Sequence, residues 1–179
     1  MNITHIRNAT QIIDYAGKRF LIDPMLADKG AWPGFPGTAR SELRNPLVEL
    51  PFSRDKIIDV DAVIVTHTHD DHWDAAAIAA IPKTLPVFVQ HEADAALLRS
   101  QGFQDLCLLS ADSEFAGVRL LKTTSGQHGS DRTYAVPAMA ERLGEACGVV
   151  SREEMRQYAL DNQIADVVSI PQDGETVVY

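Results

Sequence analysis

Cysteine is scarce in this sequence. The 179 residues include only two cysteines, Cys107 and Cys147, which lie far apart and form no Cys-x-x-Cys pair. Two isolated thiols are more typical of free, buried side chains than of a disulfide framework or a thiolate metal site, and free thiols suit a reducing compartment. We therefore expect a cytoplasmic protein whose fold does not depend on disulfide bonds.

Long apolar runs and clusters of positive charge are also missing. No stretch approaches the roughly 18 consecutive apolar residues of a membrane-spanning helix. Residues 1–7 show no basic segment leading into an apolar one, so no secretory signal is expected. The formal net charge is −9, and an acidic surface repels the phosphates of nucleic acids. We expect neither membrane nor nucleic-acid partners.

The order of the predicted elements indicates an α/β fold in one domain, or α+β if some strands are antiparallel. Residues 10–22 predict a hairpin with a turn at 16–18, and the apolar segment 61–66 predicts a strand buried on both faces. Residues 24–56 are rich in proline and glycine and form a long connection. The other predicted strands are 86–90, 106–109, 118–122, 148–150, 166–170 and 176–178, and the predicted helices are 74–81, 91–101, 138–143 and 152–162.

The segment HTHDDH at positions 67–72 is the most informative pattern. Alternate residues of a strand point to the same side, so His67 and His69 project together as the chain leaves the predicted strand. Asp71 and His72 follow in a turn and face a second point nearby. Imidazole and carboxylate are suitable ligands for Zn²⁺ and related divalent metals. The spacing predicts two adjacent metals, one bound by His67 and His69 and one by Asp71 and His72.

Three further segments resemble the same protein family as this motif does. The hairpin IIDYAGKRFLIDP (12–24), the loop TSGQHG (124–129) and the ending ADVVSIPQDGET (165–176) resemble the metallo-β-lactamase superfamily, in a branch similar to the ascorbate-6-phosphate lactonases. The resemblance implies an αβ/βα sandwich with the metals at one edge. It also implies that His67, His69 and His128 bind the first metal, while Asp71 and His72 contribute to the second.

The resemblance implies a metal-dependent hydrolase. Two Zn²⁺ ions, or Mn²⁺ or Fe²⁺ in their place, would hold a hydroxide that attacks a small-molecule ester, lactone or phosphate ester. Asp71 would act in catalysis as well, by orienting that hydroxide. A nuclease of the same superfamily is disfavoured by the acidic charge and by the lack of a basic patch.

Two elements of the family pattern have no counterpart in this sequence. There is no Gly-Asp-Thr segment to supply a bridging aspartate, and no histidine follows His128. Up to Val150 the sequence resembles the proteins of this branch. From Ser151 it resembles their C-terminal segment, although the two residues are adjacent here. This pattern predicts an internal deletion inside a single domain of residues 1–179. The first half of the sandwich would be nearly complete and the second truncated, and the exposed apolar face would favour a homo-oligomer. The alternative to a hydrolase is a truncated metal-binding relative with weak or no turnover.

Several other residues have two interpretations. Asp23 either orients a ligand histidine or is a turn residue before proline. Asn8 lies where many relatives place a histidine near the site, although a role away from the site is favoured. His5 and His91 are predicted to be structural or solvated. Packing or turn roles are favoured over site roles for Trp32, Phe35, Trp73, Asp173 and Glu175.

Overall fold

The computed structural model describes residues 1–34, 36, 40–122, 152–161, 163, 165–166 and 168–178. His128, Cys147 and the junction between Val150 and Ser151 lie outside the described residues, as do Phe35 and the elements predicted at 138–143 and 148–150. Two compact units are present in the described part of the chain. The larger contains residues 1–28, 50–122 and 173–178, and the smaller contains the described residues of 29–49 and 152–172.

The described residues contain nine strands and four helices. The strands are β1 (Asn2–Arg7), β2 (Thr10–Tyr15), β3 (Lys18–Ile22), β4 (Ala62–Val65), β5 (Val87–Val89), β6 (Leu106–Leu108), β7 (Ser113–Phe115), β8 (Val118–Leu120) and β9 (Thr176–Val178). The helices are α1 (Arg54–Ile57), α2 (Ala75–Ala80), α3 (Glu92–Ser100) and α4 (Arg152–Asp161). None of these helices has the length and apolar character needed to cross a membrane.

Seven of the strands form one mixed sheet in the order β6-β5-β4-β3-β2-β1-β9. Strands β3 to β6 run parallel to one another, while β1, β2 and β9 add antiparallel ladders on the other side of β3. Strands β7 and β8 form a separate hairpin. The carboxyl ends of parallel strands share one edge, and ligand-binding residues of α/β folds gather at that edge. The motif at 67–72 follows β4 there.

Strand β4 in the large sheet is buried on both faces, as the apolar segment at 61–66 predicts. On one face Val63 and Val65 belong to a core that includes side chains of α2 and α3. On the other face Ala62 lies in a second core, which the β7–β8 hairpin completes. Phe115 of β7 makes edge-on contacts with the rings of Phe20 and Phe88, at centroid distances of 5.9 and 5.6 Å. These two cores hold the end of β4 in place.

The predicted elements agree with the structure over most of the described chain, with four differences. Strands β1 and β7 and the short helix α1 were not predicted. The strand predicted at 166–170 is wrong, because Ala165 and Asp166 lie in a turn and residues 168–170 have no regular structure. The carbonyl of Ile170 accepts a hydrogen bond from the Arg156 guanidinium at 3.0 Å. Cys107 is a free, half-buried thiol, and burial together with the neighbouring Asp105 raises its pKa.

Candidate metal centre

The metal motif occupies a tight loop between β4 and α2. The backbone N–H groups of His72 and Trp73 both donate to the carbonyl of His69 at 2.8 Å, which closes the loop on itself. Trp73 is buried beneath it, where its ring lies 5.2 Å from that of Phe103 and its Nε1 donates to Gln101. The predicted packing role of Trp73 therefore agrees with its position.

Three side chains of the motif converge at this loop. One ligand atom each from His67, His69 and Asp71 can be chosen so that all three lie within 4.8 Å of one another. Ligands bound to one zinc ion at 2.0–2.2 Å lie roughly 3–4 Å apart, so the cluster needs only a small contraction to hold an ion. Two imidazoles and a carboxylate also suit a divalent transition metal. The motif residues therefore fit a metal, and the Asp71 carboxylate lies near the first two histidines as well as near His72.

His72 is oriented by the buried carboxylate of Asp23. Oδ2 of Asp23 lies 2.8 Å from Nδ1 of His72, and Nε2 of the same ring lies 3.5 Å from Oδ2 of Asp71. Because the ring uses Nδ1 to contact Asp23, its Nε2 is directed toward Asp71. The His72 ring also lies against His67, with centroids 3.8 Å apart. This arrangement supports the interpretation of Asp23 as a residue that orients a ligand histidine.

Asp23 also anchors the end of β4. Its Oδ1 accepts the backbone N–H of Thr66 and its Oδ2 accepts the Thr66 hydroxyl, both at 2.7 Å. Asp23 has a positive φ of 44°, a conformation that aspartate tolerates better than most residues. Asp23, which is only 3% exposed, thus connects the segment after β3 to Thr66 and His72, which lie at the two ends of the metal loop.

The Thr66 hydroxyl determines which nitrogen of His67 carries a proton. Thr66 has one hydroxyl hydrogen, which it donates to Asp23. Nδ1 of His67 lies 3.1 Å from the same hydroxyl oxygen. Nδ1 must then be the donor in this contact, so the lone pair of the neutral ring is on Nε2. A neutral imidazole with a free lone pair is the form that binds a metal.

Burial and charge separate the pKa values of the two adjacent histidines. Burial, with the positive charges of His72 and His69, lowers the pKa of His67 to about 4. Burial opposes a charge on His72 as well, but the hydrogen bond that His72 donates to Asp23 and the charges of Asp71 and Asp23 outweigh it and raise the pKa of His72. In the metal-free protein, His67 is therefore neutral at pH 7.

Two residues outside the motif, Asp74 and Arg7, make hydrogen bonds to segments that lie next to the loop. The sequence analysis did not identify either of them as a site residue. Oδ1 of Asp74 caps α2 by accepting the N–H of Ala77 at 2.6 Å, and its Oδ2 accepts the N–H of Ala27 at 2.8 Å. The guanidinium of Arg7 is buried and donates to the carbonyls of Met25 and Ala27. An aspartate before an alanine-rich helix is a visible capping signal. A buried arginine in β1 has no such signal.

The other candidate residues lie in different surroundings. His5 pairs with Asp173 at 3.2 Å on β1, and His91 precedes α3 as its N-cap residue, which agrees with structural roles for both. Trp32 forms an isolated backbone bridge with Asn45 in the smaller unit. Asn8, by contrast, reaches the motif: its Nδ2 donates to the Asp71 carbonyl at 2.9 Å. His128 lies outside the described residues, so its part in the site stays a prediction.

Sequence comparisons place this arrangement among known proteins. The family described as "Beta-lactamase superfamily domain" matches residues 2–128. The UPF0173 protein YddR of Bacillus subtilis (strain 168) is 50% identical over 151 residues, which are 84% of this chain and 57% of that protein. N-acyl-phosphatidylethanolamine-hydrolyzing phospholipase D 1 of Caenorhabditis elegans is 34% identical over 83 residues, 46% of this chain and 22% of that protein. The chain thus spans little more than half of the first curated relative.

Two solved structures resemble this one along their whole length. Isothiocyanate hydrolase from Delia radicum gut bacteria aligns with a TM-score of 0.85 and 32% identity, covering 100% of this chain and 99% of that one. A possible metal-dependent hydrolase from Veillonella parvula DSM 2008 aligns with a TM-score of 0.86 and 32% identity, covering 99% and 98%. These similarities extend over the described sheet as well as over the motif.

Proposed function

Because this chain belongs to the metallo-β-lactamase superfamily, we propose that it is a metal-dependent hydrolase whose site is the loop between β4 and α2. The observation that carries the proposal is the convergence of His67, His69 and Asp71 within 4.8 Å. The hydrogen bonds that orient the rings of His67 and His72, made with Thr66 and Asp23, also support the proposal.

In this proposal each polar side chain of the motif has a task. His67 and His69 hold the first metal with His128, and His72 and Asp71 contribute to a second. A bound divalent metal supplies a Lewis acid that polarises the substrate and makes a water molecule acidic at neutral pH. Asp71, whose side chain is 33% exposed, orients the attacking water through its carboxylate. Asp23 and Thr66 keep the rings in the tautomer that leaves a nitrogen free for the metal.

The proposed substrate is a small molecule with an ester, lactone or phosphate ester bond. Zn²⁺ is the proposed metal, with Mn²⁺ or Fe²⁺ as alternatives, and the cytoplasm is the proposed location. A second candidate reaction is isothiocyanate hydrolysis, which is favoured by the full-length similarity to an isothiocyanate hydrolase. Both reactions begin with attack of water on an electrophilic centre, so the same residues would serve either.

A metal-binding relative with little or no turnover is the competing proposal. The sequence has no Gly-Asp-Thr segment and no histidine after His128, and it spans 57% of its curated relative. A chain of this kind would keep the first metal site and bind one ion. The proposed deletion at Val150–Ser151 belongs to this alternative, and the intact mass of the native protein decides whether the segment is missing.

Metal content and turnover distinguish the two proposals. The purified protein is loaded with Zn²⁺, passed over a desalting column and measured by elemental analysis, and hydrolysis of a p-nitrophenyl ester, a lactone, a phosphate monoester and an isothiocyanate is then assayed. We expect about two equivalents of zinc and turnover of at least one substrate class. One equivalent without turnover would favour the metal-binding relative, and no bound zinc would contradict both.

A matched pair of histidine variants tests the ligand assignment. His69→Ala removes one of the converging imidazoles and is expected to abolish tight zinc binding. His91→Ala removes an imidazole at the start of α3 and is expected to keep the metal content of the unmodified protein. Equal loss of zinc in the two variants would refute the assignment of His69 as a ligand.

A further inference from the structure

Asn8 connects the turn between β1 and β2 to the metal loop, 63 residues further along the chain. Its side-chain Nδ2 donates to the backbone carbonyl of Asp71 at 2.9 Å. The contact lies at the surface, where hydrogen bonds contribute little to global stability because water competes for both groups. The acceptor, however, belongs to the backbone of Asp71, a proposed ligand. The contact therefore points to a role at the metal site and not to a role in global folding.

The conformation of Asn8 suits this contact. Its φ is +49°, in the left-handed region that asparagine and glycine adopt more readily than other residues. This backbone turn directs the short amide across to the metal loop. Inside that loop the N–H groups of His72 and Trp73 share the carbonyl of His69, whereas the carbonyl of Asp71 is bound from outside the loop by Asn8.

The turn that carries Asn8 is itself held firmly on both sides. On one side, the buried guanidinium of Arg7 donates to the carbonyls of Met25 and Ala27. On the other, the hydroxyl of Thr10 donates to the Asp23 carbonyl at 2.7 Å and accepts the N–H of Met25 at 2.9 Å. Asn8 is thus attached to the same segment that carries Asp23, the residue that orients His72.

We propose that Asn8 is a positioning residue of the metal centre, which fixes the backbone of Asp71 and so places its carboxylate against His67 and His69. The proposal rests on the proposed function, since it assigns Asn8 a task at the same site. Asn8 acts through Asp71 and does not bind the metal itself. Loss of its amide should therefore loosen the loop and weaken metal binding while the sheet stays folded.

The test compares Asn8→Gly with Ala16→Gly. Asn8→Gly permits the left-handed backbone and removes the side chain that carries the amide. Ala16, in the β2–β3 turn, has a φ of +51°, so Ala16→Gly makes the same kind of backbone change away from the loop. Zinc affinity is measured on metal-free protein by competition with a chromophoric chelator. Loss of an outer contact of this kind weakens metal binding by roughly 10- to 100-fold, and we expect about tenfold for Asn8→Gly and no change for Ala16→Gly, with urea midpoints preserved.

A second measurement needs no metal. Amide hydrogen exchange at His72 and Trp73 in the metal-free protein should be about tenfold faster in Asn8→Gly than in Ala16→Gly, as for the loss of one hydrogen bond. If the unmodified protein binds no zinc, the proposed function fails, and the exchange rates still decide whether Asn8 positions the loop. Unchanged exchange, or zinc affinity equal to that of Ala16→Gly in a protein that binds zinc, would overturn the proposal.

Discussion

Asp23 lies outside the motif but contacts both ends of the proposed metal loop. Its carboxylate accepts three hydrogen bonds, two from Thr66 and one from His72, in a position that is almost inaccessible to water. Buried carboxylates are costly unless they are fully hydrogen-bonded. Since these partners flank the metal loop, the same bonds contribute both to stability and to the orientation of a ligand.

Asp23→Ala is expected to reduce stability and metal affinity together. The change leaves the Thr66 N–H and the His72 ring without their acceptor, which should lower the free energy of unfolding by about 2–4 kcal/mol. Zinc affinity should fall roughly 10- to 100-fold. Urea unfolding and chelator competition measure the two effects. Asp59→Ala, at an exposed position, is the control, and if it matched Asp23→Ala in both measurements the assigned role of Asp23 would be wrong.

His67 is expected to make the metal-free protein less stable in mild acid. Its pKa is about 4 in the folded protein against 6.5 for the free side chain, so below pH 6.5 the unfolded chain binds a proton that the folded protein does not. Stability therefore falls as the pH drops from 6.5 toward 4. Between pH 6.5 and pH 5 the contribution of His67 should be on the order of 2 kcal/mol.

Urea unfolding of the metal-free protein, with chelator present, measures this effect at several pH values. His67→Gln stays neutral throughout and should show a shallower loss of stability over the same range. The raised pKa of His72 acts in the opposite direction, because it adds stability below pH 6.5, and it is present in both proteins. Parallel curves for the two proteins would contradict the assigned state of His67.

At the scale of elements, the loop between β4 and α2 is defined by contacts at its two ends. Gln90, after β5, donates to the Thr66 carbonyl at 2.9 Å, and Lys122 donates to the Gln90 carbonyl at 2.8 Å. At the other end, Asp74 caps α2 and binds the N–H of Ala27. Neighbouring segments thus determine where the loop begins and where the helix after it starts.

Asp74→Ala is expected to destabilise the junction between the loop and α2 and so to lower the free energy of unfolding. Losing the cap costs about 1 kcal/mol, and leaving the Ala27 N–H buried without an acceptor costs about 1–3 kcal/mol more. A total loss of about 2–4 kcal/mol should appear in urea unfolding. Asp74→Asn keeps an acceptor oxygen and should lose less. Asp55→Ala, exposed in the first turn of α1, should change stability by no more than about 0.5 kcal/mol.

For the whole molecule, the proposed metal binding is expected to be linked to folding. The proposed ligands converge only in the folded chain, so zinc should bind the folded state and raise its stability. At a free zinc concentration 100 times the dissociation constant, the stabilisation is about 2.7 kcal/mol. For a chain of this size it corresponds to a rise in melting temperature of roughly 5–10 °C.

Thermal unfolding with and without zinc measures this linkage. His69→Ala should show little or no rise at the same zinc concentration, while Asp59→Ala should rise as the unmodified protein does. A rise of equal size in His69→Ala would mean that zinc stabilises the molecule at a place other than the loop after β4, and the proposed centre would then be wrong.

The sequence by itself determined the parts of this protein that depend on short-range patterns. Two short β-prone runs around a turn predicted the β2–β3 hairpin, a continuous apolar run predicted the buried strand β4, and the alanine-rich run predicted α2. The HTHDDH spacing predicted that His67 and His69 project together, because alternate residues leaving a strand point to the same side. The spacing paired Asp71 with His72, whereas the structure places the Asp71 carboxylate near His67 and His69 as well. The same pattern led to the correct superfamily and fold class.

Only the tertiary structure decided which distant residues support those ligands. The sequence leaves two equal interpretations of Asp23. The hydrogen bond between its carboxylate and His72, 49 positions away, favours a role in orienting that histidine. No local signal shows that Asn8 reaches Asp71 or that Arg7 is buried. The strand predicted at 166–170 is absent from the described residues of that range, and there the Ile170 carbonyl accepts a hydrogen bond from the Arg156 side chain. These contacts join residues far apart in sequence, and their formation depends on how the sheet brings separate segments together, which local periodicity does not encode.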